Sequence, residues 1–128
     1  MNLPYYAPKE YFLTPQEVLD KITNGCGAKG GIPIPDTMYG LKVCEPCNRH
    51  DFMYHYGKTH LDKIFADVIL LYNTTATILN KGGWLTIPRL ARATKYFIAV
   101  VERGEDAYAE NKTTISNKKT ITFQGEFR

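Results

Sequence analysis

The chain predicts a mainly α, single small domain spanning residues 1–128, with a helical core over 14–111. Three observations lead there. Residues 58–80 and 87–101 repeat apolar side chains at helical spacing, and residues 43–56 form a third segment that suits a helix starting after Pro46. Glycines punctuate the chain between such segments rather than inside them. At 128 residues, with 44% hydrophobic and 23% charged side chains, the chain can build one modest core.

The elements follow in order. Residues 1–14 read as an extended, aromatic-rich lead-in with Pro4, Pro8, Tyr5, Tyr6 and Tyr11. Thr14-Pro15-Gln16-Glu17 reads as a helix start, with Thr14 as cap and proline at the first position. The helix over 15–23 carries Val18, Leu19 and Ile22 on one face, and Asn24-Gly25 stops it. Residues 25–40 hold five glycines and two prolines, so they predict a loop. The helix over 58–80 has the stripe Leu61, Ile64, Phe65, Val68, Leu71 and Tyr72, expected to pack as core. Lys81-Gly82-Gly83 breaks it. The helix over 87–101 has the stripe Ile87, Leu90, Ala91, Phe97, Ile98 and Val101. Arg89, Arg92 and Lys95 read as its wet face, and Gly104 ends it. Residues 112–123 alternate polar and apolar around Ser116-Asn117-Lys118, which predicts a C-terminal β-hairpin.

Several function classes recede at this point. A net charge of +3 without a dense Lys/Arg stripe gives no sign of a nucleic-acid partner. No apolar run is long enough for a transmembrane helix. The first fifteen residues carry three prolines and no apolar h-region, so no signal peptide is expected. Cys26, Cys44 and Cys47 allow one disulfide and a leftover thiol. With His50 they could also be read as a zinc set, but they lack a second well-spaced ligand pair.

The chemistry concentrates in Cys47-Asn48-Arg49-His50-Asp51-Phe52-Met53-Tyr54. On a helix Cys47, His50 and Tyr54 share a face, while Asp51 points about 100° away. One helix can therefore aim an imidazole base at one target and a carboxylate at another. Asn24-Gly25-Cys26-Gly27-Ala28-Lys29-Gly30-Gly31 adds a loop whose backbone can turn carbonyls inward. Calcium takes several oxygen ligands, carbonyl and carboxylate together. Trp84, after Gly82-Gly83, reads either as a lipid-interface anchor or as a side chain packed on the helix that follows.

These motifs together, Gly25-Cys26-Gly27, Gly30-Gly31 and Cys47-x-x-His50-Asp51-x-x-Tyr54, resemble the phospholipase A2 family. The wording is similar to its bacterial and viral branch, over about a third of the chain. The resemblance implies a small phospholipase A2-like helical domain that hydrolyses the sn-2 ester of glycerophospholipids with Ca2+. It implies His50 as general base. It implies Asp51 with the carbonyls of Gly25, Gly27 and Gly30 as calcium ligands, Lys29 being the alternative to Gly30. The loop has one more residue before its Gly-Gly pair than the secreted animal enzymes. A Cys26–Cys47 disulfide is implied too, leaving Cys44 without a partner. The base needs an orienting carboxylate. Asp62 and Asp67 both sit at margins of the apolar stripe, and the Asp62-x-x-Phe65 setting resembles the bacterial enzymes, which favours Asp62. Tyr54 is either a core residue or a donor to that carboxylate. The implied partner is a phospholipid membrane surface, and the implied setting is secreted or virion-associated. The other function classes are a catalytically silent member of the fold that binds membrane or protein, and a zinc-stabilised binding module.

Overall fold

A computed structural model of the protein describes residues 1–23 and 37–128. Its described part is mainly helical. The elements are α1 (Lys9–Leu13), α2 (Gln16–Ile22), β1 (Thr37–Met38), β2 (Leu41–Lys42), α3 (Cys44–Tyr56), α4 (His60–Lys81), α5 (Thr86–Arg103) and α6 (Glu105–Ala109). α4 is the central rod, packed by α3 and by α5. Among the described residues, no helix is long and apolar enough to cross a membrane.

The lead-in is not extended throughout, since it closes into α1 after Pro8. Thr14 does not cap the following helix. Its Oγ1 donates to the Glu10 carbonyl at 2.7 Å and so ends α1 instead. A threonine at a helix end can satisfy an orphan carbonyl as readily as it caps the next helix. Before α1 the chain lies as a strap along α4. Asn73, fully buried, accepts from the Tyr6 N–H and donates to the Tyr6 carbonyl, both at 2.8 Å. Asn80 does the same for Leu3, at 2.7 and 3.0 Å. Seven residues of helix and three of extended chain both advance about 10 Å, so the two carboxamides match the strap's spacing.

α4 starts with a capping box. The Thr59 side chain accepts from the Asp62 N–H, and the Asp62 carboxylate accepts from the Thr59 N–H at 3.0 Å. Which face α4 buries departs from expectation. Ile64 and Val68 are 59% and 50% exposed, and Tyr72 also reaches solvent. The buried face is largely small and polar: Asp62, Lys63, Ala66, Asp67, Asn73, Thr74, Ala76 and Thr77, with Leu70 and Ile78 the large apolar members. Those polar groups find partners in the strap, in α3 and in the C-terminal tail, which removes the penalty of burying them.

α5 repeats the pattern. Ile87, Ile98 and Val101 point outward, while Ala93, Val100 and the expected wet-face residue Arg89 are buried. Arg89 donates from Nε to the Met38 carbonyl at 3.0 Å and from its guanidinium to the Tyr39 carbonyl at 2.7 Å. It thereby holds the two-residue β1–β2 ladder, whose Thr37 faces Lys42 across an antiparallel pair. That short ladder ends a stretch expected to be plain loop.

The expected hairpin over 112–123 does not form. The tail is used up by other partners. Ser116 bridges Thr59, and Phe127 bridges Pro8. The Thr122 N–H donates to Asp62 at 2.8 Å, and the Thr122 hydroxyl donates to the same carboxylate. An isolated two-stranded hairpin is marginal in water, so partners elsewhere win. Lys112 also ties the tail down. Its ammonium donates to the carbonyls of Tyr54 and Tyr108, both at 2.5 Å, and burial pushes its pKa down to about 8.

Candidate functional site

α3 presents His50 from a buried face that also carries Cys47 and Tyr54. Nε2 of His50 lies 2.8 Å from Oδ1 of Asp67. The Tyr54 hydroxyl donates to that same oxygen at 2.7 Å, one turn further along α3. The His50 and Tyr54 rings pack at 4.0 Å between centroids. On the other carboxylate oxygen, Oδ2, Lys63 donates at 2.9 Å. Asp67 is 2% exposed.

The electrostatics follow from these partners. Burial by itself would raise the Asp67 pKa. The hydrogen bond and charge of His50, then Lys63 and Tyr54, more than offset it, so the carboxyl is held below its ordinary value. Asp67 is therefore an anion and an acceptor, which makes His50 Nε2–H the donor. In the neutral ring the other nitrogen, Nδ1, then carries the lone pair. Burial and the Asp67 charge push the Tyr54 phenol far above its ordinary range, so Tyr54 stays a donor.

Asp62 corrects the sequence expectation. It does not meet His50. Its two oxygens take the N–H groups of Lys58, Thr59 and Thr122 and the Thr122 hydroxyl. Burial raises its pKa, but those hydrogen bonds, the Thr122 hydroxyl first, outweigh it and leave the carboxyl below its ordinary value. Two signals in the sequence identify these roles. Thr59-x-x-Asp62 is a capping-box pattern. The second is register. α3 and α4 fold back about Lys58; His50 lies eight residues before that point and Asp67 nine after it, whereas Asp62 lies only four after. In a helical hairpin, residues equally distant from the turn face each other. Tyr54 and Lys63 obey the same rule, with the ammonium 5.8 Å from the ring centroid. Lys63 as a partner of the site was not anticipated.

Asp51 is half-buried on the neighbouring face of α3. Gly25, Gly27, Lys29, Gly30 and Cys26 lie outside the described residues, so the carbonyl half of the expected calcium cage and one end of the expected disulfide do too. Cys44 is a half-buried free thiol. Among the described residues no group of three or more His, Cys, Asp or Glu side chains could hold a metal ion. The one described member of the expected ligand set, Asp51, is a hard oxygen donor of the type calcium takes.

Near this dyad an apolar pocket is lined by Met38, Val43, Cys47, Leu70, Leu71, Thr74, Ala93, Tyr96 and Phe97. Cys47 stands one turn before His50 on α3, so pocket and base share a helix. Trp84 is 88% exposed and so does not pack on α5. His60 is exposed, and His55 touches Asn111 at the surface.

The arrangement is a buried His50–Asp67 pair, with the separate carboxylate of Asp51 on the next face of α3 and an apolar pocket beside Cys47. No family model matches the chain, and no curated protein or solved structure matches it either.

Proposed function

We propose that the protein is a calcium-dependent, phospholipase A2-like hydrolase acting on the sn-2 ester of glycerophospholipids. The observation that carries this reading is the His50 Nε2–Asp67 Oδ1 contact of 2.8 Å, directly beside Asp51 on the same helix. The sequence motifs that resemble the family supply the substrate class.

The residues would work as follows. His50 Nδ1 takes a proton from water as the oxygen forms a bond to the ester carbonyl carbon. Asp67, already an anion at Nε2–H, stabilises the imidazolium that develops. Tyr54 and Lys63 hold Asp67. As the tetrahedral centre collapses, the sn-2 C–O bond breaks and His50 returns the proton to the lysophospholipid oxygen. The fatty acid leaves as the second product. Asp51, with carbonyls of Gly25, Gly27 and Gly30, would hold calcium, which supplies Lewis-acid stabilisation of phosphate and oxyanion when bound.

One further feature supports a lipid substrate. Trp84 and Ile87, 88% and 74% exposed, put apolar bulk at the α4–α5 turn, where an amphipathic ring suits a membrane interface.

The test is fatty-acid release from mixed phospholipid vesicles, with calcium and with a chelator, for the natural chain and His50→Gln. Calcium-dependent release that drops about 10²–10⁴-fold in His50→Gln is expected. Vesicle binding without release would instead indicate the silent, membrane-binding member of this fold.

A further inference from the structure

The Asp67 carboxylate has two oxygens, and the dyad uses one of them. Oδ1 receives His50 and Tyr54; Oδ2 receives Lys63 at 2.9 Å. Lys63 is itself 4% exposed, an uncommon place for a lysine. It sits one turn before Asp67 on α4, and its ammonium also reaches toward the Val101 carbonyl of α5 at 3.5 Å. Burying an ammonium is costly unless it is paired and hydrogen-bonded. An apolar residue here would spare that cost, so the pair calls for a role beyond filling space.

We propose that Lys63 is a positioning residue for the candidate base: by holding Oδ2 it fixes the rotation of the Asp67 carboxylate, and so keeps His50 in the Nε2–H tautomer with Nδ1 free for water. The inference rests on the reading of His50 as the base. Its geometric content is separate. A carboxylate gripped on one oxygen alone turns about its Cβ–Cγ bond, a broad and soft torsion. Either oxygen can then meet the imidazole, at varied angles, and the ring is free to flip or to change tautomer. Gripped on both oxygens by three donors from two helices, Asp67 has one orientation. Groups that orient a reacting side chain from behind typically matter about 10–100-fold in activity.

The test combines a spectroscopic and a kinetic measurement on the full chain. Nitrogen-15 NMR of the neutral His50 ring reports which nitrogen carries the proton. In the natural chain it should show the Nε2–H form alone. Lys63→Met should give a mixture of tautomers. On phospholipid vesicles with calcium it should lower kcat about 10–100-fold with KM unchanged, and Lys63→Arg should restore both readouts in large part. Lys63→Gln is the second variant should Lys63→Met not fold. It stays polar but is one bond shorter, so its amide falls short of Oδ2, and it should behave as Lys63→Met. A single Nε2–H tautomer together with unaltered kcat in either shortened variant would overturn the proposal. A natural chain that releases no fatty acid would defeat the hydrolase reading instead. The tautomer comparison would still decide what Lys63 does.

Discussion

His50 and Asp67 stand seventeen positions apart in the chain and 2.8 Å apart in space, Nε2 to Oδ1. Five residues earlier, Asp62 has the same side chain on the same helix, and it spends both oxygens on main-chain N–H groups and Thr122. One carboxylate serves a base and the other serves the fold, which separates the effects of their removal.

Asp67→Asn should lower turnover about 10²–10⁴-fold, because an amide can donate to the ring and so stabilise the wrong tautomer. Asp62→Asn should leave kcat within a few-fold and cost about 1–3 kcal/mol of stability through the lost cap and tail anchor. Vesicle assays paired with urea unfolding check both. A large kcat effect from Asp62→Asn, with Asp67→Asn mild, would reverse the assignment.

Acid should unfold the protein through these same carboxyls. Both are held below the ordinary value of 3.8. The unfolded chain then binds the proton more readily than the folded one. Their stabilising contribution is complete above the unfolded value and drains away as pH falls through the lower folded values. Melting temperature should therefore drop as pH goes from about 5 toward 2. The loss should be shallower in Asp62→Asn, which is already less stable at neutral pH. Parallel pH profiles for the two chains would contradict this.

Gly104 gives Tyr54 its room. A Cβ at Gly104 would lie 2.5 Å from the Val100 carbonyl oxygen and 2.6 Å from the Tyr54 hydroxyl. Its φ is −79°, so alanine suits the backbone, and ordinary helix preference would favour the change. The contact decides otherwise. Gly104→Ala should destabilise by about 1–3 kcal/mol and lower kcat by shifting the phenol that donates to Asp67. A gain in melting temperature with full activity would show that the Tyr54 hydroxyl can move freely.

Calcium binding should depend on Asp51 and not on His50. Calorimetry should find Asp51→Ala greatly weakened and His50→Gln near normal, because the imidazole is turned toward Asp67. Undiminished calcium affinity in Asp51→Ala would remove Asp51 from the ligand set.

Non-reducing peptide mapping should recover Cys26 joined to Cys47, with Cys44 alkylated as a free thiol. Cys44 is already a free, half-buried thiol in the structure. A Cys26–Cys44 peptide would contradict the pairing that the family resemblance implies.

The sequence by itself determined the helices and the residue types of the site. Periodicity and Gly/Pro punctuation found α2, α3, α4 and α5 within a few residues, since those signals act over one or two turns. The run from Cys47 to Tyr54 put His50 and Tyr54 on one face of α3 and Asp51 on the next, because helix geometry is local. Tertiary structure decided what each helix turned inward. The apolar stripes on α4 and α5 looked like core, yet Ile64, Val68, Ile98 and Val101 face out. Asn73, Lys63, Asp67 and Arg89 face in because their partners, Tyr6, Tyr54, His50 and the Met38–Tyr39 turn, come from distant parts of the chain. The same physics chose between two aspartates. Local resemblance favoured Asp62, but a carboxylate's role depends on which donors surround it. Those donors were set by the register of α3 against α4 and by where the tail around Thr122 came to rest.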